Sequence, residues 1–335
     1  MTVIGIVYYI NSNYFGARHL DLFYPLIKNY YVLIIILCCL YFIWVDCHQE
    51  NPYDEYWVAG CFFLWKMDKK DSHKLKKFVC DWFVKGFFIP YVIIYLIRYG
   101  YVLAAVDFKE MNFLMMYNYL LDLFYTVDVA FAVLGYVFTC RLLDTHIRST
   151  DPTILGWIVC FMCYGAFNSY FGIGLLHYDD SINFYNYFSD QSFVYYVIGG
   201  LVIFLSLIYC LSTVAIGYRM SNLTFRGVIT DGPYRFTKHP AYIGKLGAWW
   251  LVSLPFLTAG NMELAVKHTG ALIIISTVYF LRAKTEENHL SNYPEYVEYA
   301  NWINENGIFS GIMKKFPRLQ YSYEKTKKWE SKVGK

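Results

Sequence analysis

The sequence predicts an all-α fold, a polytopic bundle of transmembrane helices with about eight membrane segments. Three observations carry this expectation. Of 335 residues, 57% are hydrophobic and only 16% charged, against ~25% charged in a soluble domain. The apolar residues fall in runs close to the ~20 that a helix needs to cross hydrocarbon. Charge is also sorted by alternate loops. With the N-terminus cytoplasmic, the loops on that side hold Lys66, Lys69, Lys70, Lys74, Lys76 and Lys77, then Arg141 and Arg148, then Arg219, Arg226, Arg235 and Lys238. The opposite loops hold only Lys109 and Lys267 as bases. Basic loops stay on the cytoplasmic side, so both termini are expected there, in an inner membrane or the endoplasmic reticulum.

The expected segments are 29–47, 53–66, 82–105, 112–140, 154–176, 193–217, 241–259 and 268–282. The first begins near Tyr30 and lacks a small-residue cleavage site, so it is expected to stay as a signal anchor. The segments 53–66 and 268–282 are short and call for tilt, re-entry or extension by less apolar turns. Segment 112–140 carries Asp122 and Asp128, six residues apart and therefore on different helix faces. Arg98 and Lys85 are candidate partners; internal pairing or snorkelling is one reading, a proton or ligand path the other. The abundant aromatics, 34 Tyr, 27 Phe and 9 Trp, suit interfacial belts.

A net charge of +3 points to neither nucleic acid nor an acidic partner. Most of the 9 cysteines lie in apolar runs, where a thiol packs as a small hydrophobe. Cys160-Phe-Met-Cys163 has the spacing of a metal or redox pair but no second pair, so packing is expected and no metal. From Gly307 the chain carries Lys314, Lys315, Arg318, Lys325, Lys327, Lys328, Lys332 and Lys335, a composition expected to meet anionic headgroups rather than nucleic acid. The chain divides into N-terminal helices that shape a cavity (1–217), a cofactor-binding region (218–306) and a basic cytoplasmic tail (307–335).

The chemistry concentrates in Gly232-Pro-Tyr-Arg-Phe-Thr-Lys-His-Pro-Ala-Tyr242 and, one apolar hairpin later, Arg282-Ala-Lys-Thr-Glu-Glu287. Asp231-Gly232-Pro233 is a turn signal, and His239-Pro240 puts proline where a helix begins. Lys238 and His239 then lie at a helix N-terminus, whose free N–H groups favour an anion such as the carboxylate of an amino-acid-derived cofactor. Arg282 and Glu286 are spaced to pair on one helix face. The hairpin returns Glu286 and Glu287 to the same side. Facing cations and carboxylates suit a ligand that carries both charges, and S-adenosylmethionine is one.

These residues resemble the isoprenylcysteine carboxyl methyltransferase and phospholipid methyltransferase superfamily. The signature is a Gly-x-Tyr turn (Gly232, Tyr234), a basic residue before His-Pro-x-Tyr (His239, Tyr242), a hydrophobic hairpin, and Arg-x-x-x-Glu-Glu (Arg282, Glu286, Glu287) before Tyr293-Pro-Glu-Tyr-Val-Glu-Tyr299. The likeness covers residues 218–304. It implies an integral membrane enzyme with S-adenosylmethionine in a cytoplasm-facing pocket and a lipid or lipidated substrate entering from the bilayer. By the resemblance, Gly232, Tyr234, His239, Tyr242, Glu286 and Glu287 bind the cofactor. Arg235, Lys238 and Arg282 are then expected to orient an acidic substrate or the cofactor carboxylate, and Glu286, Glu287 or His239 to take the proton of an amine acceptor. A prenylcysteine carboxylate is the favoured acceptor and a phospholipid amine the next. The chain departs from the pattern at Lys238, where the family has Arg. Lysine keeps the charge and loses the planar fork, a role Arg235 is placed to take. Two other readings stay open: a sterol-reductase-like enzyme with a nicotinamide cofactor, and a lipid-binding or transport protein using Asp122, Asp128 and Arg98.

Overall fold

In the computed structural model, which describes residues 20–49, 51–109, 111–164, 183–254, 261–324 and 326–327, the long apolar runs are helices. Hydrocarbon offers no water to backbone N–H and C=O groups, so each segment must satisfy its own. In chain order the helices are α1 (Leu20–His48), α2 (Glu55–Phe63), α3 (Ser72–Ala104), α4 (Phe113–Val137), α5 (Ile154–Met162), α6 (Phe184–Tyr187), α7 (Phe193–Ile216), α8 (Pro240–Ser253), α9 (Met262–Leu290), α10 (Pro294–Asn306) and α11 (Ser310–Lys315). Among the described residues, α1, α3, α4, α7 and α9 are long and apolar enough to cross a membrane. The protein is an all-α polytopic membrane bundle.

The helix starts follow capping chemistry. Asn112 Oδ1 accepts from Met115 N at 2.9 Å to open α4, and Asn261 Oδ1 accepts from Leu264 N at 3.2 Å to open α9. Thr153 Oγ1 accepts from Gly156 N at the start of α5. Each satisfies an N–H that the first turn leaves free.

Three of the eight expected segments take a shorter form. The regions 53–66, 154–176 and 241–259 contain helices of 9, 9 and 14 residues, below the ~20 of a full crossing. The later parts of the second and third regions lie outside the described residues. Segment 268–282 differs in the opposite sense. It belongs to a single 29-residue helix, α9, which does not stop at Arg282 but runs on to Leu290.

The packing that positions the site is between α7 and α8, and between α3, α4 and α7. Gly244 sits so close to α7 that a Cβ there would lie 2.5 Å from the Leu205 carbonyl oxygen. Without a hydrophobic drive between helices in lipid, such small residues let backbones approach and gain dispersion contact. Between α3 and α4, Phe88 and Tyr136 are stacked at 5.4 Å, both almost wholly buried. A two-stranded antiparallel bridge, β1 (Ser149–Thr150) with β2 (Thr224–Phe225), pairs Ser149 with Phe225 and Thr150 with Thr224. It ties the loop after α4 to the loop that leads into the motif. Cys160 packs in the apolar cluster of Phe88 and Phe161, and Cys163 donates to the Val159 carbonyl, so this pair serves the core.

The region after Gly307 is folded in its first part. Asn304 Nδ2 donates to the Tyr321 carbonyl at 2.9 Å, Tyr321 N donates back to Asn304 Oδ1 at 3.0 Å, and Tyr321 Oη lies 2.7 Å from Ser291 Oγ. Tyr321 is thereby buried against α9 and α10. Lys328, Lys332 and Lys335 lie outside the described residues, as does Lys325.

Candidate functional site

α8 begins with Pro240 at its first position and His239 as its cap residue. This proline needs no N–H partner and arrives with the φ of a helix. Its placement aims His239 and Tyr242 across to the far end of α9. There the helix turn brings Arg282, Glu286 and Glu287 to the same level.

Two ion-pair clusters result. In the inner one, Glu287 is 3% exposed. Its Oε1 accepts from Lys238 Nζ at 2.5 Å and lies 3.3 Å from His239 Nε2, and its Oε2 accepts from Lys284 Nζ at 2.7 Å. A buried carboxylate is tolerated as an anion where both of its oxygens meet donors, as they do here. Burial draws the Lys238 ammonium below the usual lysine range, and the Glu287 charge opposes that shift. In the outer cluster, Glu286 Oε1 accepts from Arg282 Nε at 3.1 Å and from the Tyr242 hydroxyl. Glu286 Oε2 lies 3.9 Å from His239 Nδ1. The His239 and Tyr242 rings stack within 3° of parallel.

Arg282 is fixed from a third direction. Its Nη2 donates to Asn222 Oδ1 at 2.5 Å, and the Tyr136 hydroxyl on α4 accepts from both Asn222 N and Nδ2, at 2.9 and 2.7 Å. A chain Tyr136–Asn222–Arg282–Glu286–Tyr242 thus links α4 to the site. The guanidinium also stands 5.4 Å from the Tyr242 ring centre and 5.9 Å from that of Tyr164. Such cation–π contacts favour a charge that has left water. The Tyr234 carbonyl accepts from Tyr299 Oη at 2.7 Å, fastening α10 to the turn. Burial raises the Tyr234 phenol well above its ordinary value.

A cavity of about 600 Å³ opens here and continues between α3, α4 and α7. Tyr234, Lys238, His239, Tyr242, Arg282 and Glu286 line it; Gly232, Arg235 and Glu287 do not. Gly232 holds the turn, with φ +58°, a conformation that glycine adopts without strain. Arg235 is exposed. The two adjacent glutamates therefore differ in setting: Glu286 faces the cavity, and Glu287 stands behind it supporting Lys238 and His239.

Asp128 and Asp122 part company. Asp128 lines the cavity and accepts from Tyr209 Oη at 2.5 Å and Thr213 Oγ1 at 2.6 Å, both on α7; it pairs with neither Arg98 nor Lys85. Asp122 does not line the cavity. The residues the sequence alone did not single out are Asn222, Tyr136, Lys284 and Tyr321. Lys284, three residues before Glu287, was within reach of helix-spacing arguments. The others join partners too far apart in sequence to be paired by spacing.

Residues 186–304 match a family described as "Protein of unknown function (DUF1295)". The matched span runs from α6 into α10 and holds the motif turn, the α8 start and the α9 carboxylates. No curated protein and no solved structure matches the chain significantly.

Proposed function

We propose that the protein is an integral membrane methyltransferase that binds S-adenosylmethionine beside Glu286 and His239 and methylates a lipid-like acceptor. The observation that carries the reading is the cavity-facing set of Arg282, Glu286, His239, Lys238 and Tyr242 at one end of a cavity of about 600 Å³. That size falls in the ~300–1,000 Å³ range of small-molecule sites.

The residues present fit the cofactor. Glu286 is only partly covered and offers an acceptor for an ammonium, while the N-terminus of α8, beside Lys238, suits a carboxylate. Tyr234, Tyr242, Tyr296 and Tyr299 give aromatic faces for a purine and for a sulfonium. The buried Tyr296 hydroxyl has no hydrogen-bond partner among the described residues and borders the same cavity. Bound there, S-adenosylmethionine supplies a methyl group already activated for in-line displacement. What the chain contributes is position and the exclusion of water. A carboxylate acceptor needs no base. An amine acceptor would give its proton to Glu286 or His239. By this reading the cavity mouth faces the cytoplasm and the acceptor arrives from the bilayer.

A nicotinamide-dependent reductase is the second reading, and one observation favours it. Arg226, 2% exposed and lining the cavity, donates through Nη1 to the Gly135 carbonyl at 2.6 Å, while its Nε and Nη2 have no hydrogen-bond partner among the described residues. A guanidinium so placed suits a phosphate. Transfer of label from radiolabelled S-adenosylmethionine to a prenylcysteine analogue or to a total lipid extract, with H239A and E286A as controls, tests the first reading. Thermal shift by NADPH but not by S-adenosylmethionine would replace it with the second.

A further inference from the structure

The cavity leaves Arg235 without a task. It stands exposed on the motif turn beside an exposed Phe236, and among the described residues it makes no hydrogen bond and no ion pair. The Phe236 carbonyl accepts from Ile308 N at 2.9 Å, so the turn is fastened to the chain that leaves α10. Gly307 permits the approach: a Cβ there would stand 2.9 Å from the same carbonyl oxygen.

Around this junction the surface is apolar. Phe236, Ile308, Ile312, Phe316 and Leu319 are each more than half exposed. Ile308, Ile312 and Phe316 recur every four residues along α11 and its flanks, the spacing that keeps side chains on one side of a helix. Large apolar groups gathered in this way mark a contact surface. Bases are set among them. Arg235, Lys314 and Lys315 are exposed, and Lys315 Nζ lies 5.9 Å from the Phe316 ring centre. The stretch 308–319 carries three bases, Lys314, Lys315 and Arg318, and no acid; Asp231 and Glu305 lie outside it.

We infer that this face, made of Arg235, Phe236 and residues 308–319, lies in the headgroup layer of the bilayer and binds anionic phospholipid. Its place in the fold and its charge select that partner. The patch hangs from α10, which directly follows the spanning helix α9, and from the turn that leads into α8. It is thereby held at the end of the bundle, beside the headgroups around the last turns of α9. There an interfacial segment sinks its apolar groups to the acyl boundary while its bases reach up to phosphates. The tail's composition pointed to headgroups in general; the fold adds Arg235 and Phe236 of the motif turn to the contact. The inference goes beyond the proposed activity and does not depend on it. Docking also bears on the pocket. After Leu319 the chain turns back to Tyr321, whose ring stands 5.0 Å from Lys238 Nζ, so a leaflet that holds 308–319 in place also holds Tyr321 over Lys238.

The test is hydrogen exchange of the full protein in nanodiscs, read by mass spectrometry over 308–320, in phosphatidylcholine alone and with roughly a third of phosphatidylglycerol. The anionic lipid is expected to slow exchange by at least about fivefold, the gain that one basic residue draws from an anionic leaflet. K314E/K315E and R235E are each expected to remove most of that gain, and K314R/K315R to keep it. I312D and F316D, which cannot seat at the acyl boundary, are expected to exchange faster than wild type in both lipids. All of these side chains are exposed, and unchanged melting temperatures verify that the fold is kept. Identical wild-type exchange in the two lipid mixtures overturns the inference, as does an anionic-lipid effect that survives K314E/K315E combined with R235E. Protection that needs a second protein copy in the disc, with or without anionic lipid, assigns the face to self-association and overturns it too.

Discussion

Glu286 and Glu287 are neighbours in sequence with opposite duties, and the difference can be measured. Glu287 is the carboxylate shared by buried Lys238 and by Lys284, which is more exposed. Replacing it with Ala leaves buried Lys238 without its carboxylate, which costs on the order of 3 kcal/mol, the lower end of the range for a broken buried pair because Lys284 still reaches water. Glu286 faces the cavity, and its partners Arg282 and Tyr242 keep other contacts. E287A is therefore expected to lower the melting temperature by several degrees, whereas E286A leaves it near wild type and weakens S-adenosylmethionine binding at least tenfold. Differential scanning fluorimetry with a binding titration reads both. The same loss of melting temperature in both variants would show that the two carboxylates do one structural job.

At the scale of elements, α8 is the part whose placement matters most, since it carries the cavity-lining His239, Tyr242 and Lys245 and packs on α7 through Gly244 and Gly247. The approach is set by Gly244, where a methyl would meet backbone, and by Gly247, where it would meet the tip of the Leu205 side chain at 3.1 Å. A side-chain tip rotates away; a carbonyl does not. G244A is expected to destabilise by ~1–3 kcal/mol and to reduce ligand affinity by displacing α8, with G247A costing well under half as much. Thermal melts of the two variants side by side decide it, and equal losses would mean that the α7–α8 distance is not set at Gly244. Much of this was legible beforehand. The His-Pro start of α8 and the Arg282–Glu286 pair follow from local rules, because their physics acts within one helical turn. The continuation of α9 past Arg282 was hidden by polarity: a span pattern ends where charges begin, yet Lys284, Glu286 and Glu287 are held by partners in the fold and the helix need not stop. The role of Asn222 was equally hidden. Nothing near it in sequence reveals that Tyr136 and Arg282 converge on its amide.

Across the whole molecule, the site is closed by distant parts of the chain. The loop after α4 reaches it through the β1–β2 bridge and through Ser149, which meets His289 Nε2 at 2.8 Å and accepts from Tyr293 Oη at 2.5 Å. The segment after α10 reaches it through Tyr321, whose ring lies 5.0 Å from Lys238 Nζ. Ending the chain at Asn306 removes the Tyr321 contacts with Ser291, Asn304 and Lys238 together. The expected result is a lower melting temperature and several-fold faster S-adenosylmethionine dissociation, measured by stopped-flow, with the fold retained by circular dichroism. Unaltered dissociation would show that this strap takes no part in closing the pocket.

The unbroken length of α9 has a mechanical consequence. Its 29 residues span about 43 Å, while the hydrocarbon layer is ~30 Å thick. One rigid rod thus has its middle in acyl chains and its end in the cluster of Arg282, Glu286 and His239. A spanning helix answers a thinner or thicker bilayer by changing its tilt, and this one cannot do so without swinging Arg282 and Glu286 relative to His239. The lipid around the protein is in that sense one arm of a lever, and the carboxylate on the other arm registers the load.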